Sequence, residues 1–140
     1  MFGIELLAVM ALLQEPQGWD CENLSGSMSQ MIGCGADEIR AESARLTEYL
    51  NAARAVSFVG GEASVQSAFL DGSQTAWEAY AEIQCRAEAQ RHSGGMIETI
   101  LYQGCLREMT RDRTREIWRL YLRGDDGQQP VLPQPTGPAD

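Results

Sequence analysis

Two pairs of side chains in this chain are of types that do chemistry. Cys85 and His92 stand seven residues apart, two turns of a helix, where a thiol and an imidazole share a face and could act as nucleophile and base. Along the axis, however, they lie about 10 Å apart, well beyond a hydrogen bond, and a disulfide at Cys85 would remove the nucleophile. Glu78 and Glu82 form the second pair, with Arg86 four residues on; this is the spacing of a solvated, ion-paired face, so no glycosidase is inferred. The four cysteines, Cys21, Cys34, Cys85 and Cys105, lack C-x-x-C spacing, and the single His92 cannot complete a Cys/His zinc set. No metal or other cofactor is expected. All 11 basic residues are Arg, so a Walker-type phosphate lysine, a Schiff-base lysine and a lysine general base are absent. The expectation is a protein that is not an enzyme. Its 20 acidic residues give a net charge of -9, which disfavours nucleic acid and anionic membranes and favours a cationic partner.

A chain of 140 residues makes one domain. The apolar run from Ile4 to Leu13 is too short to span a bilayer, so no transmembrane segment is expected. Its length suits the h-region of a secretory signal cut after Ala11, although no basic residue precedes it and Glu5 interrupts it. The alternative for residues 1–13 is an apolar N-terminal helix that stays attached. No small-residue lipobox precedes Cys21.

Three periodic stretches must position everything else. Met28, Met31, Ile32, Ile39, Leu46, Tyr49, Leu50 and Ala53 recur at helical steps and predict a first helix over residues 29–55. Gly60 and Gly61 then predict a loop over 57–64. Val65, Phe69, Ala76, Trp77, Tyr80, Ile83 and Ala87 predict a second helix to about Arg91, weakened at Gly72, with Trp77 and Tyr80 in the core. A turn at His92 to Gly95 leads into a third helix that runs from Ile97 to Arg123. No strand is expected. Pro130, Pro133, Pro135 and Pro138 mark residues 124–140 as a disordered tail. The fold class is therefore all-α: a three-helix antiparallel bundle over 19–123, because short loops force neighbouring helices to run in opposite directions.

The hairpin places the cysteines. Cys85 and Cys105 each lie ten residues from Gly95, at one level about 15 Å from the turn. A disulfide between them calls for a close crossing, which Gly104 would permit. Cys21 then pairs with Cys34, tying the N-terminal segment to the first helix. In a reducing compartment the same four residues would be buried thiols.

Charge is unevenly spread. Residues 1–90 hold four Arg against thirteen acids, and residues 91–123 hold seven Arg against four acids. Arg107, Arg111, Arg115, Arg119 and Arg123 repeat every four residues and are expected to meet acids of the first helix and of their own, as surface pairs worth little each.

The series Gln74, Trp77, Tyr80 and Cys85, followed by Gly94, Gly95, Cys105, Thr110 and Arg113 and preceded by Cys21 and Cys34, resembles the LprI-like lysozyme inhibitor family over about Cys21 to Leu122. One departure is that Ala81 and Glu82 stand where the family usually has Arg and Asp after its tyrosine. The resemblance implies a helical, exported, disulfide-bonded domain, periplasmic or secreted, and a lysozyme as a candidate cationic partner. Gln74, Trp77, Tyr80, Thr110 and Arg113 match its motif and are read as packing and buried hydrogen bonds. The expected partner-binding residues are Glu38, Glu42 and Glu48 on the first helix and Glu78 and Glu82 on the second, with occlusion as the mechanism. The alternative is an envelope scaffold module tethered by the proline-rich tail.

Overall fold

Leu46, Tyr49, Leu50 and Ala53 follow three- and four-residue steps, and in the computed structural model they form the buried stripe of a 29-residue helix, α1 (Met28–Val56). The structure describes residues 20–22, 26–59, 62–63, 65–92 and 94–139. The apolar run at 1–13 lies outside them. Ser57 closes α1 by donating its hydroxyl to the Ala53 carbonyl at 2.8 Å.

The segment expected to be only a loop contains a small antiparallel ladder. Strand β1 (Phe58–Val59) pairs with β2 (Glu62–Ala63), with Phe58 opposite Ala63 and Val59 opposite Glu62. Two adjacent glycines are a favoured connection for such a hairpin, and Phe58 and Val59 are β-prone types; Gly60 and Gly61 themselves lie outside the described residues.

Helix α2 (Val65–Gln90) runs unbroken through Gly72, since one glycine costs a helix only about 1 kcal/mol. Gly94 and Gly95, with φ of 138° and 67°, turn the chain where a side chain would be strained. Helix α3 (Met96–Ile117) follows and finishes in a π-helical turn, Trp118–Leu122, closed by the Arg123 N–H donating to the Trp118 carbonyl at 3.0 Å.

Helix α3 packs against both α1 and α2, and more extensively against α1. The core sits at the end of the bundle where α1 and α3 finish: Leu46, Tyr49, Leu50 and Ala53 meet Leu70, Ile117 and Leu122, with Trp77, Trp118, Tyr121 and Leu132 partly buried around them. The opposite end is held covalently. Cys21 is bonded to Cys34 and Cys85 to Cys105, with Cα separations of 5.6 and 5.5 Å. Each Cα sits about 2.3 Å from its axis, so the α2 and α3 axes are at most about 10 Å apart at the second bond, an ordinary helix spacing. Gly104 is not what permits it, because a Cβ there would meet nothing within 4 Å. The glycine under pressure is Gly35, where a Cβ would fall 2.7 Å from Gln103 Oε1.

Two expectations are corrected. Tyr80 is not core: it is 58% exposed, with Phe69 at 70% and Ile83 at 69%. The buried face of α2 is instead Ser67, Leu70, Gln74, Ala81, Cys85 and Ala89, because the bond at Cys85 turns that side of the helix toward α3. The proline-rich segment, expected to be disordered, lies against the bundle. Tyr49 donates its hydroxyl to the Pro133 carbonyl at 2.7 Å, Trp118 Nε1 donates to the Leu132 carbonyl at 2.9 Å, and Pro135 is buried. Prolines forbid a helix here but leave every carbonyl free to accept.

The two faces of α2 predict opposite mutational costs. Leu70→Ala should destabilise the protein by about 2 to 5 kcal/mol, whereas Ile83→Ala should fall within about 0.5 kcal/mol of wild type, both read by chemical denaturation.

Candidate functional site

Two of the grooves along α3 carry residues of the expected partner-binding set. The smaller, about 290 Å³, opens between α1 and α2 over Leu106 and Thr110 of α3, with Ser43 and Thr47 on one wall and Glu78 and Glu82 on the other. The larger, about 660 Å³, crosses α3 itself: Ile100, Leu101, Cys105 and Met109 form its floor, Met31 borders it, and Glu38, Glu88, Glu108 and Asp112 stand around it. Arg107 is its one guanidinium, and it is already engaged by Glu38 and Glu108.

The five acids expected on one partner-binding face are thus divided. Glu38 belongs to the larger groove and Glu78 and Glu82 to the smaller, while Glu48 is exposed and lines neither. Glu78 accepts from Gln74 Nε2 at 3.0 Å, and Glu82 pairs with Arg86 at 2.9 Å. Glu42 is corrected outright: only 1% exposed, it is a buried ion-pair centre and no contact surface. Arg45 reaches it at 2.6 Å and Arg111 at 2.9 Å, and the Ala139 N–H donates to it at 2.9 Å. Burial pushes the Glu42 carboxyl up, but the Ala139 N–H, the Arg111 hydrogen bond and the charges of both arginines outweigh it and hold its pKa below the ordinary value of 4.5. The Arg111–Glu42 pair is consequently no weak surface pair. Glu88, Glu108 and Asp112 were not legible as a site, since they fall on two helices and face one another only once α2 and α3 pack.

The motif residues separate as well. Arg113, buried, donates to Gln74 Oε1 at 3.1 Å, to Ser73 Oγ at 2.9 Å and to Glu116 at 2.5 Å, and its guanidinium carbon lies 6.0 Å from the centre of the Trp77 ring. Gln74, Trp77 and Arg113 form one internal network joining α2 to α3. Thr110 is buried and donates back to the Leu106 carbonyl at 2.7 Å. Tyr80 stands apart on the outer face of α2.

The thiol and imidazole pair does not survive in three dimensions. Cys85 is consumed by its bond to Cys105, and His92 is exposed at the hairpin turn. Among the described residues no group of three or more His, Cys, Asp or Glu is arranged to hold a metal ion, and no helix is long and apolar enough to cross a membrane. What the surface does offer is an apolar-floored groove ringed by carboxylates. That is a place for a cationic side chain or loop.

Comparison with known proteins identifies relatives of the chain. The family model described as lysozyme inhibitor LprI matches residues 21–117. An uncharacterized protein of Rhizobium meliloti (strain 1021) is 31% identical over 115 residues, covering 76% of this chain and 81% of the relative. No solved structure gives a significant match.

The pKa of Glu42 sets a pH dependence. A carboxyl whose folded pKa is depressed stabilises the fold above its unfolded pKa and loses that contribution as pH falls through the folded value. Glu42→Gln should cost about 1.5 to 3 kcal/mol at neutral pH. Its stability relative to wild type should converge as pH drops below 4.5, read by denaturant titration at several pH values.

Proposed function

Because this chain belongs to the LprI lysozyme inhibitor family, we propose that it is an exported helical module that binds a cationic lysozyme and blocks it by occlusion. The observation that carries this reading is the larger groove: Glu38, Glu88, Glu108 and Asp112 surround an apolar floor, and the single Arg107 among them is neutralised by two of the four. A basic loop entering it would exchange water for carboxylates and cover Leu101 and Met109. The long-range field agrees, since a chain of net charge -9 draws a basic enzyme toward it. Export is supported by the chemistry of the staples. All four cysteines are spent in two disulfides, a pattern of oxidising compartments.

Occlusion needs no reacting group on this protein. Its residues act as acceptors and as a shaped wall. Glu108 and Asp112, one turn apart on α3, also pair with Arg111 and Arg115, which pre-orders the rim before any partner arrives.

Titrating the oxidised protein into basic lysozymes while following cell-wall lysis tests the proposal. Lysis should be inhibited in low salt, and the inhibition should weaken toward physiological salt, where the screening length is about 8 Å. The triple variant E88Q/E108Q/D112N should keep its helicity yet slow association by about an order of magnitude. No binding to any lysozyme at micromolar protein in low salt would refute the reading.

A further inference from the structure

Helix α2 carries an apolar stripe that, among the described residues, is left exposed. Phe69, Ala76, Tyr80, Ile83 and Ala87 recur at steps of seven, four, three and four residues and are all exposed, so at about 100° per residue they form one band roughly 27 Å long. It lies opposite the face that packs on α3. Three large apolar side chains in one row differ from the scattered apolar residues of an ordinary surface.

The stripe is also electrically distinct. In a chain of 20 acids and net charge -9, the four acids of α2, Asp71, Glu78, Glu82 and Glu88, all lie more than about 90° round the helix from the band. A cationic partner would find no carboxylate to meet there. A copy of the same helix would meet no like charge.

The order of large and small residues selects the arrangement. When two copies run antiparallel about a two-fold axis level with Glu78, Phe69 falls opposite Ala87, Tyr80 opposite Ala76 and Ile83 opposite Ser73, each bulky residue facing a small one. A parallel pairing would set Phe69 on Phe69 and Tyr80 on Tyr80. The geometry points to α2 as an isologous homodimer interface, an antiparallel helix pair that leaves the larger groove across α3 open. One helix pair buries less than about 1,200 Å², so the dimer forms reversibly. This interface stands independently of lysozyme binding.

Sedimentation equilibrium of the oxidised, full chain from about 1 to about 500 μM decides it, the span in which an interface of this size is expected to dissociate. The weight-average mass should rise from that of one chain toward that of two. I83E and Y80E should hold the mass of one chain with unchanged circular dichroism and melting temperature, since both sites are exposed. F69E and A87R should each weaken the dimer, and the double variant F69E/A87R should restore it, because the two-fold sets position 69 against position 87. A wild type that stays monomeric throughout, or a dimer indifferent to I83E and Y80E, overturns the interface. Failure of F69E/A87R to recover overturns the antiparallel register. A monomeric wild type whose lysozyme binding is lost in I83E would assign the stripe to that partner instead.

Discussion

The bond between Cys85 and Cys105 decides how α2 is used. It fixes a Cα separation of 5.5 Å and so commits the face of α2 that bears Cys85 to the interior. One turn to either side that face offers only Ala81 and Ala89, methyl groups that fit beneath a spacing of about 10 Å. The bulky apolar residues of α2 are displaced to the outside as a result. Helix α2 contributes one fully buried large side chain, Leu70, to the core cluster, and the polar network of Arg113 with Gln74 and Ser73 adds specific contact with α3. Apolar packing stabilises one end of the bundle and covalent bonds the other, a division suited to a small domain whose core alone is modest.

The arginines of α3 acquire their meaning from this packing. Arg107 and Arg111 turn toward Glu38 and Glu42 of α1, while Arg113 is drawn inward. Their positive charge is thereby absorbed between helices. Glu108 and Asp112, although paired with Arg111 and Arg115, stand with Glu88 of α2 around the larger groove, so a helix with as many arginines as acids lends two of its carboxylates to that recess. Glu42 has a second consequence: by accepting the Ala139 N–H, while Arg45 donates to the Gly137 carbonyl, the buried ion centre also anchors the proline-rich segment along α1.

Where one period was present, the sequence was legible. The stripe of α1, with Leu46, Tyr49, Leu50 and Ala53, and the hairpin symmetry about Gly95 led directly to the helices and to the level shared by Cys85 and Cys105. Helix α2 holds two interleaved stripes, one of Phe69, Tyr80 and Ile83 and one of Leu70, Gln74, Ala81 and Cys85. Hydrophobic size favours the first, and only the disulfide reveals that the second is inward. Glu42 read as a surface acid because its partners, Arg111 and Ala139, are distant in sequence. The proline-rich segment read as unstructured because its restraints are side chains of Tyr49, Arg45 and Trp118, invisible in its own composition.

Hydrogen exchange on the double variant C85S/C105S is the most direct test that the covalent bond, rather than apolar packing, holds α2 in place. Protection should fall chiefly in α2 and the first half of α3, while α1 and the end of α3 near Ile117 keep theirs. Unchanged protection in α2 would show that the helix is held by its own contacts, and a uniform loss across all three helices would show that the two ends are not separately stabilised. Either result would contradict the central role given to the bond.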